Sequence, residues 1–211
     1  RSFHAVTECI GAGFSSIHID ASDQPFDENV AVTREAVRYA HKSGAWAQGE
    51  LGHIFGQEGV TRVAVPDDPS VYMTDPLRVR EFIRATGVDT LAISVGTLHG
   101  RYRGREYIDL ERLAAIARRV RLPLVLHGAS GALPQEVRSA VRRGISIINI
   151  DTELRIAFTQ ALRRSLRTMR ARYDLRKYLG PATDAIQRTV EEKMRLFGSA
   201  GKAKTWSSRR Q

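Results

Sequence analysis

Leu91-Ala92-Ile93-Ser94-Val95-Gly96-Thr97-Leu98-His99-Gly100 is the stretch whose reading decides the fold, together with its echo Leu124-Val125-Leu126-His127-Gly128-Ala129-Ser130-Gly131. In both, a short apolar run delivers a histidine and then a glycine. That is the pattern of a strand ending in a tight turn with exposed backbone N–H groups. Between them, Asp109–Val120 places Leu110, Leu113, Ala114, Ile116 and Ala117 at helical spacing. Strand, helix, strand predicts a parallel pair with both histidines on one rim. Neutral imidazole is the commonest metal ligand, so two on one rim suggest a metal site. The same spacing also suits two polar residues hydrogen-bonded at strand ends, and spacing alone leaves both readings open.

The flanking sequence repeats the alternation. A helix over residues 3–11 is ended by Gly11 and Gly13, and a strand Ser15–Ile19 runs to Asp20. A helix Asp27–Lys42 is closed by Gly44, and Ala45–Leu51 reads as the next strand. Gly52–Met73 is too long for a mere connection and is a candidate lid. Thr74 is positioned to cap a helix reaching Ala85, with Pro76 near its first turn. Downstream come a helix Pro134–Arg143, a strand Ile145–Ile150, a helix Thr152–Arg172, a short connection Asp174–Tyr178 and a last helix Pro181–Phe197. Residues 199–211 read as a flexible tail. Five strands, each followed by a helix, predict an α/β fold with a parallel sheet. A full (β/α)8 barrel takes eight such units and about 250 residues, more than the five units read here, and a single domain over 1–211 is expected.

Composition bounds the function. A hydrophobic share of 42% and a charged share of 27% are ordinary for a globular chain. No run approaches the ~18 apolar residues of a membrane span. The lone Cys9 cannot form an internal disulfide and fits a reducing, cytoplasmic compartment. The net charge of +10 is spread over nearly every predicted helix, as at Arg34, Arg38, Arg118, Arg119, Arg142 and Arg143. It neither alternates with aromatics nor gathers on one recognition helix, so a solvated basic surface is favoured over nucleic acid. Such a field would concentrate an anionic substrate.

Several stretches then converge. YMTDP (Tyr72–Pro76), TGVDTLAISVGTLHG (Thr86–Gly100), LVLHGASG (Leu124–Gly131) and INIDTELR (Ile148–Arg155) resemble motifs of the class II, metal-dependent ketose-bisphosphate aldolases. Weaker matches at Gly13–Ser22, Gly49–Gly59, Tyr173–Ala182 and Glu192–Ala203 run in the same order. The resemblance implies a (β/α)8 TIM barrel, with this chain on its fourth to eighth units plus C-terminal helices. It implies a lyase that cleaves a ketose 1,6-bisphosphate, fructose or tagatose, to dihydroxyacetone phosphate and glyceraldehyde 3-phosphate. It implies one catalytic Zn2+, with a second divalent or monovalent cation as an additional expectation, and a homo-oligomer, dimer or tetramer. A divalent ion polarises the ketone, so no Schiff-base lysine is needed. None of Lys42, Lys177, Lys193, Lys202 and Lys204 ends a predicted strand.

Residue by residue, the resemblance makes His99 and His127 two of three zinc ligands, with Glu50 and Asp20 as further metal candidates. Glu58 matches a loop carboxylate that assists proton transfer. Gly100, Gly128, Ser130, Asp151 and Thr152 match phosphate-binding turns, Asn149 the ketose end, and Arg176 a far-phosphate contact. Helix capping by Asp151 or Thr152 is compatible with that role, and Asp20 suits a hydrogen-bonded turn equally well. His18 reads as barrel filling and His53 as loop. Gln48-Gly49 departs from the family's Glu-Ala, Phe55–Gly59 from Gly-Gly-Glu-Glu-Asp, and Leu175 from a proline. The family's His-Leu-Asp-His segment, which supplies a third zinc ligand and the proton-transfer Asp, has no match. The expectation is negligible turnover by the 211 residues alone, and the competing reading is a non-catalytic fragment or pseudoenzyme that keeps a sugar-phosphate half-site.

Overall fold

The computed structural model describes residues 3–56, 68, 71–99 and 107–203. The element order is α1 (Phe3–Gly11), β1 (Ser16–Ile19), α2 (Phe26–Lys42), β2 (Trp46–Leu51), α3 (Val79–Thr86), β3 (Thr90–Ile93), α4 (Leu110–Ala117), β4 (Leu124–His127), α5 (Pro134–Arg142), β5 (Ile145–Asn149), α6 (Thr152–Thr168) and α7 (Leu175–Phe197). The chain clusters into two compact units, Arg1–Asn149 and Ile150–Gln211.

The first unit is built on one five-stranded sheet in the order β1-β2-β3-β4-β5. Every neighbouring pair is parallel. This is the α/β architecture expected, with five consecutive βα steps of a TIM-type barrel. β3 and β4 are buried along their whole length. Their Val, Leu, Ile and Ala side chains suit a sheet covered on both faces, which is why the two histidine strands are legible as continuous apolar runs. Phe82 and Val79 of α3 are fully enclosed, and a Cβ on Gly49 would lie 2.8 Å from Val88, 3.0 Å from Thr33 and 3.3 Å from the Phe82 ring. Side chains of α2, α3 and the turn after α3 thus fill the space that Gly49 leaves on β2.

The region before α3 differs from expectation. Thr74 does not cap the helix, which begins at Val79 after Arg78 with no side-chain cap. The Thr74 hydroxyl instead donates to the Leu51 carbonyl and accepts the Ser94 N–H at 2.8 Å. The Thr74 N–H donates to the Ser94 carbonyl at 2.9 Å. One buried residue therefore fastens the ends of β2 and β3, its hydroxyl oriented by those two bonds between the strands rather than toward a helix terminus. Asp75 closes the intervening turn, accepting the Leu77 N–H at 2.9 Å.

The second unit is the pair α6 and α7. α6 stops at Thr168, and α7 begins at Leu175, six residues before Pro181. The expected connection at Asp174–Tyr178 is thus helical from Leu175. Asp174 caps it, its carboxylate accepting the Arg176 N–H at 3.0 Å. Pro181 lies inside the helix rather than at its start. Tyr178 is buried, and its hydroxyl donates to the Met169 carbonyl at 2.8 Å. Lys193 pairs with Glu153 across the two helices. Among the described residues no helix is long and apolar enough to cross a membrane.

Candidate metal centre

The carboxyl ends of β1, β2, β4 and β5 bring five polar side chains together. β4 ends at His127, paired in register with Asn149 of β5. The Nε2 of His127 lies 3.3 Å from the Asn149 amide nitrogen and 3.2 Å from that of Gln48. On the other side, β1 pairs with β2 so that His18 stands beside Gln48. Gln48 and Glu50 share one face of β2 by the two-residue period of a strand. His18 Nε2 comes to 3.4 Å from a Glu50 carboxylate oxygen. One ligand atom from each of His18, Glu50 and His127 lies within 4.8 Å of the others.

Turn geometry fixes these ends. Gly128 has φ +68, and a Cβ there would sit 2.2 Å from the Leu98 carbonyl oxygen. Only glycine lets the turn after His127 pass that close to the segment carrying His99. Thr97 reinforces the contact, its hydroxyl donating to the His127 carbonyl at 2.6 Å. The backbone N–H of His99 donates to the Phe55 carbonyl at 2.8 Å. The ring of His99 stands edge-on to that of His127, with centroids 5.7 Å apart. The His18 ring is 5.2 Å from His127 on centroids.

Burial sets the charge state. The pKa of His127 is lowered from 6.5 to about 4, chiefly by desolvation; Glu50 opposes the shift, and His18 and His99 add to it. His127 is therefore neutral near pH 7, with a lone pair to give. Glu50 is 2% exposed. Its carboxylate faces the His18 ring and, at 3.3 Å, the Ser22 hydroxyl. An ionised carboxyl that deep is costly without a cation or a full set of donors. Two imidazoles and a buried carboxylate fit a zinc-type ion, which takes nitrogen and carboxylate ligands together.

The other expected residues fall as follows. Asp20 accepts the Ser22 N–H at 3.1 Å and the Ser22 hydroxyl at 2.7 Å, and that same hydroxyl reaches Glu50 and, at 3.3 Å, His53 Nδ1. Asp20 thus closes a turn and sits one hydroxyl away from the carboxylate. Gly128 and Ser130 form the turn after β4, with residues Ala129–Gly131 in a single 3-10 turn. In the second unit, Asp151 stands at the start of α6 without capping it, its carboxylate accepting from Arg155 at 2.5 Å, and Thr152 is buried. Arg176 is exposed and pairs with Asp174 at 3.0 Å. Glu58 and Gly100 lie outside the described residues.

Two residues of the cluster were not singled out from the sequence. His18 alternates on its strand like a core-filling residue, and Gln48 lies on a strand poor in β-branched residues. The signal that could have found them is register: in a parallel β1–β2 pair the two stand side by side, next to Glu50.

Comparison with known proteins agrees with this architecture. The family model described as fructose-bisphosphate aldolase class-II matches residues 1–202. A fructose-bisphosphate aldolase of Staphylococcus epidermidis is 42% identical over 203 residues, covering 96% of this chain and 69% of the relative. Among solved structures, the YdjI aldolase of Escherichia coli K12 superposes with a TM-score of 0.79 at 32% identity, covering 96% of this chain and 68% of that one. A putative fructose-1,6-bisphosphate aldolase of Coccidioides immitis gives a TM-score of 0.81 at 30% identity, with coverages of 96% and 69%.

Proposed function

Since the chain belongs to the class II fructose-bisphosphate aldolase family, a family of carbon–carbon lyases, we propose that it carries the metal-dependent, reversible cleavage of a ketose 1,6-bisphosphate. The substrate is of the fructose or tagatose type, and the products are dihydroxyacetone phosphate and glyceraldehyde 3-phosphate. The observation that carries this reading is His127: buried, neutral, at the carboxyl end of a central strand, with His99, Glu50 and Asn149 around it. Strand carboxyl ends are where barrel enzymes place their chemistry.

A bound Zn2+ would supply Lewis-acid polarisation of the ketone oxygen. The residues of this chain do the rest of the work at the rim. His127 holds the ion, with His99 and Glu50 beside it, available to that ion or to a second cation. Asn149, within reach of the His127 ring, orients the ketose carbonyl and hydroxyl end. The backbone N–H groups at Gly100 and Gly128 and the Ser130 hydroxyl take a phosphate; in the second unit, the start of α6 at Asp151 and Thr152 is by itself suited to an anion. Exposed N–H groups at strand-to-helix turns favour an anion. Arg176 offers a guanidinium to the far phosphate, and Glu58 assists proton transfer. Asp20 and Glu50 lie on either side of the Ser22 hydroxyl, which donates its one proton to one carboxylate at a time. The lone Cys9 fits a cytoplasmic location, and a homo-oligomer is the working form that the family resemblance implies.

The test is release of dihydroxyacetone phosphate, read with a coupled reductase. The chain is joined in frame to the part of the Staphylococcus epidermidis relative that lies outside the match. Cleavage should be abolished by a chelator and by His127→Ala. Chelator-resistant cleavage would overturn the metal-dependent reading. Absence of any cleavage, with the intact relative active in parallel, would overturn the aldolase reading.

A further inference from the structure

We propose that His18 is a metal ligand in this protein, completing with Glu50 and His127 a three-ligand set for one zinc-type divalent ion. The inference rests on the metal-dependent reading above and deepens it. The ligand pair expected from sequence was His99 and His127. Among the described residues, the group whose ligand atoms converge is a different one, His18, Glu50 and His127.

Three observations point to His18. The first is spacing. Ligands on adjacent corners of a tetrahedral zinc site stand about 3.4 Å apart, given zinc–nitrogen distances near 2.1 Å. His18 Nε2 and the Glu50 oxygen are 3.4 Å apart.

The second is the need of Glu50. Its carboxylate is 2% exposed, and its contacts at 3.3 and 3.4 Å are a hydroxyl and an imidazole. A divalent ion between Glu50 and His18 would offset the cost of burying that charge.

The third is orientation. Metal-bound imidazoles are held by a hydrogen bond to the second ring nitrogen. His127 Nε2 has the side-chain amides of Gln48 and Asn149 at 3.2 and 3.3 Å. A side-chain amide offers oxygen or nitrogen by a half-turn. Either amide can therefore take the Nε2 proton and leave Nδ1 to the ion. The side chain of His18 is 31% exposed, so an ion reaches the set from solvent without passing through the core.

Catalytic zinc sites use three protein ligands and leave one position open. His18, Glu50 and His127 meet that count within the first unit of the chain.

The test uses Co2+ as a visible stand-in for zinc, with the whole chain in a Cys9→Ser background. Titration should produce the absorption of a low-coordinate site at one ion per chain, and zinc should displace it. His18→Gln should weaken binding by more than about 100-fold, because partners one shell further out already cost 10–100-fold. His18→Cys should keep the ion and add a thiolate-to-cobalt charge-transfer band, which a structural role for His18 would not produce. Unchanged affinity in His18→Gln, or no such band in His18→Cys, overturns the assignment. If those variants bind normally while His99→Ala and His127→Ala do not, the sequence-expected pair stands and His18 is excluded. If His127→Ala also binds normally, the metal-dependent reading itself fails.

Discussion

The centre of the sheet and its two outer strands obey different constraints. β3 and β4 are buried at every position. β1 alternates exposed and buried, and β5 is buried only at Ile145. Ile93 of β3 is fully enclosed, whereas Ile147 of β5 remains 38% exposed. Chemically alike side chains on one sheet thus do different work. The centre carries the stability and aims His127. The outer strands contribute His18 and Asn149, polar residues that stay within reach of solvent and ligand. Burial is concentrated at the centre of the sheet, while the site draws its side chains from the centre and the edges together.

The sharpest way to break that comparison is a matched pair of truncations. Ile93→Ala should destabilise the protein by about 2–5 kcal/mol, the usual range for emptying an enclosed aliphatic site, as read by urea unfolding followed by circular dichroism. A loss below about 1 kcal/mol would mean that the centre is not the main source of stability.

Next in size is Gly128→Ala. A Cβ at 2.2 Å from the Leu98 oxygen with φ +68 forces the turn to move, at a cost of about 2–3 kcal/mol from crowding and left-handed strain. The same variant should weaken metal binding by shifting His127; unaltered metal affinity in a folded Gly128→Ala chain would detach the turn from the site.

The smallest effect is expected at the outer strand. Ile147→Ala should cost less than about 1 kcal/mol, since much of the side chain already meets water. A cost matching that of Ile93→Ala would erase the distinction between centre and edge.

What could be read from the sequence follows the same division. The central strands are plain because complete burial demands uninterrupted apolar runs, and β1 and β2 emerge from their flanking turns. The start of α7 was hidden because Gly180-Pro181 imitates a helix beginning, while the cap at Asp174 carries the helix through it. Thr74 imitates a cap as well, but its hydroxyl is committed to two strands that lie far apart in sequence.

The site was half legible. His99 and His127 carry a motif in their own neighbourhood. His18 and Gln48 carry none, because their meaning lies in sideways pairing between β1 and β2 and in their reach toward His127. Local pattern cannot report contact across a sheet.

The hydrogen bond from the His99 N–H to the Phe55 carbonyl, with Gly56 bridged to the same residue, has a thermodynamic consequence. A Cβ on Gly56 would fall 2.1 Å from the His99 carbonyl oxygen, so the two backbones lie as close as two chains can. His99 is thereby denied translation, and only rotation about its side-chain bonds remains. Any ligand that engages the ring then has two torsions to arrest rather than a whole loop to order. At roughly 1–2 kcal/mol for each residue's backbone, the ordering cost has been met in folding, before the ligand arrives.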